Sequence, residues 1–222
     1  MESSMIKGVL FDMDGTVFDT EQIYFRGWKW VAGVLGYDIP DSLMDRMRGS
    51  SIPTAEKIFN DYFEGRHEYM EARTRRQDFL DEEFRKHGVP LKPGAMELLH
   101  FLKEQGYRTA LATSTFRKTA EFYLEKSGTK DCFDVIIAGD MVKNGKPDPE
   151  IFLTAAEKLG LSAAECAVCE DSLNGVMAGR SSGAKVFYIP DLNKLTEEQL
   201  SLYVDRSFKN LLEVREYLES FS

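Results

Sequence analysis

Cysteine is scarce in this sequence, with only Cys132, Cys166 and Cys169 among 222 residues. Three cysteines cannot all pair within one chain, so a disulfide framework is not expected. Cys166 and Cys169 have the spacing of a redox pair, but they lie in an apolar segment that is typical of a strand. Residues three apart in a strand face opposite sides of the sheet. Because the sequence has no second ligand pair for zinc, we expect these to be core cysteines.

Long apolar runs and an excess of positive charge are also missing. No segment approaches the roughly 20 apolar residues needed to cross a bilayer, and residues 1–5 lack the basic and apolar parts of a signal peptide. The formal net charge is -9, whereas a surface that binds nucleic acid or an anionic membrane needs clustered Lys and Arg. We therefore expect a cytoplasmic monomer with no nucleic-acid or membrane partner.

Short apolar runs alternate with helical patterns in the second part of the chain. Strands are predicted at 108–113, 135–139, 167–170 and 185–189, and an earlier strand ends at Phe11. Helices are predicted between them, at 95–105, 118–127, 149–159 and 173–181. This alternation is typical of parallel βαβ units, and right-handed crossovers then build a three-layer, Rossmann-like α/β core.

The segment between the first strand and this alternating region has a different pattern. Residues 20–34 place apolar side chains at helical spacing, and residues 55–86 are highly charged with apolar residues interspersed. Strand-like alternation is absent from this part of the sequence. We therefore predict an all-helical block inserted after the first strand.

Polar residues follow the predicted strands at the edge of the sheet where ligands usually bind. In open parallel sheets that edge is formed by the carboxyl ends of the strands, near the point where the strand order reverses. The side chains expected to gather there are, in chain order, Asp12, Asp14, Thr113, Ser114, Lys146, Glu170 and Asp171.

Two of these acids suit phosphoryl transfer, which needs a nucleophile, a proton donor, a divalent cation and further positive charge. Asp12 is predicted to attack phosphorus and form an aspartyl-phosphate. Asp14 is predicted to protonate the leaving alcohol and then to activate water. An acidic turn that merely caps the next helix is the structural alternative for this segment.

Magnesium is the predicted cofactor, because Mg²⁺ favours oxygen ligands in near-octahedral geometry. The carboxylates of Asp12 and Asp171 and the main-chain carbonyl of Asp14 are its expected ligands. Glu170 is expected to bind the ion either directly or through water.

The remaining residues are predicted to hold the phosphate. Lys146 would neutralise its charge, while the Thr113 hydroxyl and the Ser114 amide would bind its oxygens. Each has an alternative: Thr113 and Ser114 could cap the next helix, Lys146 could be solvated, and residues 170–172 could begin a helix. A calcium-binding EF-hand is excluded, because the glycine is fourth in the loop and a strand precedes it.

Four segments, in this order, resemble the motifs of the haloacid dehalogenase superfamily. They are residues 12–16 (DMDGT), 113–114 (TS), 145–149 (GKPDP) and 170–175 (EDSLNG). The resemblance implies a catalytic Rossmann-like core of residues 1–18 and 90–222 and a helical cap domain of residues 19–89, as in the β-phosphoglucomutase-like branch. The second acid, Asp14, is similar to the phosphotransferases of the superfamily and unlike its dehalogenases.

The cap is the part of such proteins that selects the leaving group. β-Phosphoglucomutases have His where this chain has Tyr24 and Arg where it has Ile52, so the resemblance favours the sugar-phosphate and nucleotide phosphatases of the branch. The cap residues implied in specificity are Glu21, Tyr24, Arg48, Gly49, Ser50 and Ser51.

The sequence therefore predicts a magnesium-dependent phosphatase that hydrolyses a small phosphorylated metabolite, with a sugar phosphate as the preferred class. The cap is expected to close over the site through hinges near residues 18–21 and 87–93. A β-phosphoglucomutase-type phosphomutase is the alternative, since the basic loop at Arg48 could still contact a sugar phosphate. A catalytically idle phosphate-binding module is a more remote alternative.

Overall fold

The structure, a computed structural model, describes residues 6–192 and 194–221. A six-stranded sheet forms its centre. The strands are β1 Gly8–Phe11, β2 Arg108–Thr113, β3 Val135–Ala138, β4 Cys166–Glu170, β5 Lys185–Tyr188 and β6 Arg206–Ser207. All neighbouring pairs are parallel, in the order β3-β2-β1-β4-β5-β6. The strand order therefore reverses at β1, which lies between β2 and β4.

Helices cover both faces of the sheet. One helix of the core, α5 Ala95–Glu104, precedes β2. The helices that follow β2 are α6 Arg117–Ser127, α7 Glu150–Leu159, α8 Leu173–Ser182, α9 Glu197–Tyr203 and α10 Leu211–Glu219. Successive residues of β1 enter different apolar clusters: Phe11 packs with residues of α5, α6 and α10, and Leu10 packs with residues of α7 and α8. Each cluster joins one face of the sheet to a layer of helices, so the core has three layers. The predicted fold class is confirmed.

The cysteines lie where strand geometry predicts. Cys166 belongs to one of these apolar clusters and Cys169 to the other, so their side chains are on opposite faces of β4. Cys132 is partly buried, and all three are free thiols. Burial raises the pKa of Cys166 to about 11, which keeps this thiol protonated and unreactive at neutral pH.

The insertion between β1 and β2 is all-helical, as predicted. It contains α1 Glu21–Leu35, α2 Asp41–Met47, α3 Ile52–Phe63 and α4 Tyr69–His87; these four helices are called the helical insertion below. Helix α2 was not predicted, because no helical pattern was assigned between residues 34 and 55. Pro40 precedes the first residue of α2, and proline is tolerated at the start of a helix because the first amides have no partner within the helix.

The helical insertion has an apolar cluster of its own, which includes Trp28, Phe59 and Tyr69. Helix α4 is shared, because Leu80 and Phe84 near its end pack into the core instead. A separate cluster supports two domains, and the boundaries at residues 18/19 and 89/90 stay a prediction. Within the described residues, no helix combines the length and the apolar character needed to cross a membrane.

The two connections between core and insertion run side by side. Phe18 and Leu91 form an antiparallel bridge, and the Asp19 amide donates to the Pro90 carbonyl with an N–O distance of 2.9 Å. Lys92, at the second connection, forms an ion pair with Asp191 of the core at 2.9 Å. Hinge motion at these two connections stays a prediction.

Candidate active site

The turn after β1 carries two acids into the crevice at the reversal point. The Asp12 amide still donates to Cys169 of β4, which extends the ladder by one residue. Gly15 has a φ of +86°, and a Cβ at this position would lie 2.5 Å from the Asp171 carboxylate. Only glycine satisfies both conditions, because it accepts positive φ and leaves room for Asp171.

The turn after β4 holds Glu170 in a fixed orientation. Its Oε2 accepts hydrogen bonds from the Asp171 amide and from the Ser172 amide, both at 2.9 Å. A Cβ at Gly175 would overlap the Glu170 carboxylate, so helix α8 can begin this close only with glycine there. The side chain of Asp171 is held separately, since Thr16 Oγ1 donates to its Oδ1 at 3.1 Å.

Lys146 lies behind these acids, and only 1% of its surface is exposed. Its ammonium group donates to the Asp12 carboxylate, to Glu170 Oε1 at 2.7 Å and to the Ala112 carbonyl at 3.1 Å. Burial by itself lowers the pKa of Lys146, but the ion pairs with Asp12 and Glu170 outweigh it, so the net pKa is raised. The alternative of a solvated lysine is therefore wrong.

Asp12, Glu170 and Asp171 form a cluster of carboxylates that could hold a metal ion. Each offers an oxygen, and the three oxygens lie within 4.8 Å of one another. Burial, together with repulsion from Glu170, raises the pKa of Asp12 and of Asp171 well above the ordinary value. Lys146 supplies one positive charge against three carboxylates, so a bound cation would offset the remaining negative charge.

The donor set fits Mg²⁺, which takes carboxylate oxygens and keeps waters in its remaining positions. Asp12 and Asp171 border the open cavity, whereas Glu170 is completely buried. Bound there, the ion would supply the positive charge that offsets a phosphate dianion. The Asp14 carbonyl as a third protein ligand stays a prediction.

Asp14 is held by three hydroxyl groups. Thr20 Oγ1 and the Tyr24 hydroxyl donate to its Oδ1 at 2.7 and 2.8 Å, and Thr115 Oγ1 donates to its Oδ2 at 3.2 Å. Burial raises the pKa of Asp14, although these hydrogen bonds lower it. A carboxyl group with a raised pKa and a fixed orientation can act as a general acid and then as a base.

The end of β2 and the loop after it bring Thr113, Ser114 and Thr115 to the same cavity. Thr113 Oγ1 accepts from the Thr115 amide at 3.0 Å. Helix α6 begins only at Arg117 and has no side-chain cap, so the alternative that Thr113 or Ser114 caps this helix is not supported. The Thr113 hydroxyl is still free to donate a hydrogen bond to a phosphate oxygen.

The helical insertion forms the opposite wall of the cavity. Glu21 and Arg48 are joined by an ion pair at 2.7 Å, and both side chains are largely buried. Burial is the main reason that the pKa of Glu21 rises to about 7, and Arg48 only partly opposes it. Gly49, with a φ of +65°, brings its loop against Ser172 of the core, where a Cβ would lie 2.7 Å away.

The predicted specificity residues do not all reach this wall. The described residues that line the cavity include Glu21, Tyr24, Arg48, Gly49 and Ser50. Ser51 lies outside it, because its hydroxyl accepts from the Thr54 amide at the start of α3.

Two arginines of α4, Arg73 and Arg76, also line the cavity and were not predicted. They occur in the basic run 73–76 (RTRR) of a highly charged helix, and such runs are usually solvated. Their three-residue spacing, which puts both on one helix face, was the available signal. Thr20 and Thr115, which bind Asp14, were also missed.

The fold is a Rossmann-like α/β sheet, and its site has carboxylates at the carboxyl end of β1. Residues 6–183 match the haloacid dehalogenase-like hydrolase family. A phosphorylated carbohydrates phosphatase of Thermotoga maritima is 36% identical over 189 residues, 82% of this chain and 84% of that protein. β-Phosphoglucomutase of Bacillus subtilis is 31% identical over 186 residues, 80% of each chain.

Comparison with a solved structure supports the same family. CbbY of Rhodobacter sphaeroides, crystallised with phosphate, matches with a TM-score of 0.80 and 25% identity, covering 95% of this chain and 96% of that one. The chain belongs to the haloacid dehalogenase-like hydrolases. The prediction of this family is confirmed, and so is the prediction of an enzyme of the phosphoric monoester hydrolase type.

Proposed function

We propose that this protein is a magnesium-dependent phosphatase that hydrolyses a small phosphorylated carbohydrate through an aspartyl-phosphate on Asp12. The observation that carries the proposal is the pairing of the Asp12, Glu170 and Asp171 cluster with a hydrogen-bonded Asp14 in one cavity. The relative named a phosphorylated carbohydrates phosphatase supports the substrate class.

The first half of the reaction forms a bond between Asp12 and phosphorus. A carboxylate oxygen of Asp12 attacks, and the bond between phosphorus and the substrate oxygen breaks. Asp14 gives its proton to that oxygen, so the product leaves as an alcohol. Lys146 favours the ionised form of Asp12, against the effect of burial, and orients it, because its ammonium group donates to that carboxylate from behind the cavity.

The second half returns the enzyme to its starting state. Asp14, now a carboxylate, takes a proton from a water molecule that attacks phosphorus. The bond between phosphorus and Asp12 then breaks, which releases inorganic phosphate and regenerates both acids. The hydroxyls of Thr20 and Thr115 hold Asp14 in one place through both steps.

Phosphate release from p-nitrophenyl phosphate tests the proposal, with and without Mg²⁺ after treatment with EDTA. We expect release that depends on added Mg²⁺ and is lost in Asp12→Asn. Normal turnover by Asp12→Asn would reject the nucleophile, and no release under any condition would favour an idle phosphate-binding module. A screen of phosphorylated metabolites, scored by kcat/KM, then tests the carbohydrate class.

A phosphomutase is the second candidate, and the similarity to a β-phosphoglucomutase favours it. The Arg48 ion pair and Ser50 beside the cavity would suit sugar hydroxyls. Incubation with β-glucose 1-phosphate and a glucose bisphosphate primer, followed by product analysis, separates the two activities. Isomerised sugar phosphate would support the mutase, and free phosphate with glucose would support the phosphatase.

A further inference from the structure

Two arginines of α4 face the cavity without a carboxylate partner. Arg73 is 9% exposed, and Arg76 has a buried Nε with no hydrogen-bond acceptor among the described residues. Neither forms an ion pair within the part of the chain that the structure describes. Buried charges are normally paired, because an unpaired one is costly.

The surroundings of both guanidinium groups are aromatic. Arg76 lies over the ring of Tyr24 at 5.0 Å and over that of Trp28 at 4.6 Å. Arg73 lies over Phe116, which belongs to the core, at 4.8 Å. Arg73 also forms a side-chain hydrogen bond with Tyr69. Aromatic faces and a neutral hydroxyl hold a guanidinium in place but do not neutralise it, so the remaining in-plane donors stay available.

The two arginines are also close enough to repel each other. Burial and the charge of Arg76 together lower the pKa of Arg73. Arg76 in turn lowers the pKa of Asp14 and of Glu21, so its charge acts on the interior of the cavity. An anion bound between the two guanidinium groups would remove this repulsion.

The transferred phosphate is not needed to explain these charges. Lys146 and the carboxylate cluster that suits a metal ion serve that group from the core side. The arginines belong to the opposite wall, where the leaving part of a substrate would lie. Neutral hydroxyl groups could accept hydrogen bonds there but would bring no negative charge to either guanidinium group.

We propose that the substrate carries a second anionic group, a carboxylate or another phosphate, and that Arg73 and Arg76 bind it. The inference rests on the proposed phosphatase function and narrows its substrate class from sugar phosphates in general to acidic ones. Planar guanidinium groups bind carboxylate and phosphate oxygens through paired hydrogen bonds, which makes both groups suitable.

Matched substrate pairs test this proposal. The two members of a pair have the same carbon chain length and differ only in one end group. The pairs are glycerol phosphate with phosphoglycerate, and glucitol phosphate with phosphogluconate. The corresponding bisphosphates form a third set of substrates. We expect kcat/KM for at least one acidic member to exceed that of its neutral partner by about tenfold or more, the effect of one charged hydrogen bond. Preference for the carboxylate or for the bisphosphate identifies the anion.

Variants of the two arginines test whether they cause the preference for acidic substrates. In Arg73→Gln and Arg76→Gln the acidic-to-neutral ratio should fall by about tenfold, and Arg76→Lys should restore part of it. Arg75→Gln is the matched control, since Arg75 lies on the same helix but is half exposed and paired with Glu71 at 3.0 Å. It should leave the ratio unchanged.

The outcomes separate this inference from the phosphatase proposal. Equal or lower kcat/KM for every acidic member would overturn the inference while leaving the phosphatase intact. If no compound is hydrolysed, calorimetric binding of the same pairs to the Mg²⁺-loaded protein still tests it. Tighter binding of an acidic member, lost in Arg76→Gln, supports it, and equal binding overturns it.

Discussion

The hydroxyl of Tyr24, in the helical insertion, donates a hydrogen bond to Oδ1 of Asp14, in the core, with an O–O distance of 2.8 Å. The same tyrosine ring lies against the guanidinium group of Arg76. One side chain therefore contacts both the proposed proton donor and the proposed anion-binding arginine. The position of the helical insertion thus affects the orientation of the acid.

Replacing Tyr24 tests this link. Tyr24→Phe keeps the ring and removes one donor, so kcat should fall by about tenfold. The hydrogen bond lowers the pKa of Asp14, so its loss should also shift the Asp14-controlled limb of the pH profile to higher pH. Tyr62→Phe, at an exposed position of α3, is the control. An unshifted profile and full activity in Tyr24→Phe would contradict the link.

Asp14 as the proton donor predicts a dependence on the leaving group. Asp14→Asn should reduce the turnover of alkyl phosphates more than that of activated aryl phosphates, because an aryl oxide leaves without a proton. The values of kcat/KM for p-nitrophenyl phosphate and for a sugar phosphate measure the difference, because kcat/KM reports the steps up to release of the leaving group and excludes the later hydrolysis. Equal losses on the two substrates would remove Asp14 from this role.

Lys146 should be important for stability as well as for activity. Lys146→Met leaves Asp12 and Glu170 buried without their cation, so the free energy of unfolding should fall by about 3 kcal/mol or more. The exposed pair of Lys57 and Asp61 provides the control, and Lys57→Met should cost less than about 1 kcal/mol. Urea unfolding in the presence of EDTA compares them. Similar losses in both variants would show that the Lys146 pairs contribute little.

Glu21 gives a pH dependence with a definite sign. Burial raises its pKa from 4.5 to about 7 in the folded protein, so the folded state binds the proton more tightly than the unfolded state. Its contribution to stability is therefore fully present below about pH 4.5 and is lost as the pH rises through about 7. Glu21→Gln should remove this part of the slope. Urea unfolding of wild type and variant from pH 5 to pH 8 measures the effect. The difference between their free energies of unfolding should change by on the order of 2 kcal/mol over this range. A constant difference would contradict the assignment.

The parts of the site that the sequence predicted are those fixed by topology. Asp12, Thr113 and Asp171 each lie at or just after the end of a strand, and adjacent parallel strands bring their carboxyl ends to one edge. Knowing which segments are strands was therefore sufficient to place these residues in one crevice. Strand periodicity was likewise sufficient to place Cys166 and Cys169 on opposite faces of the sheet.

The residues that were missed depend on distances between elements, which no local pattern contains. The three-residue spacing of Arg73 and Arg76 shows that they share a helix face, but the packing of α4 against α1 and the core determines what that face meets. The contact of Lys146 with both Asp12 and Glu170 similarly depends on how deeply its loop enters the core. Helices α9 and α10 were missed because no pattern was assigned after residue 189.

The covalent intermediate on Asp12 is the central claim, and rapid acid quenching tests it most directly. The enzyme is mixed with Mg²⁺ and a substrate that carries radiolabelled phosphate, quenched within one turnover, digested and mapped by mass spectrometry. We predict a phosphoryl group on the peptide that contains Asp12, labile to hydroxylamine and absent in Asp12→Asn. Rapid turnover without label at Asp12, or with label on another residue, would contradict it.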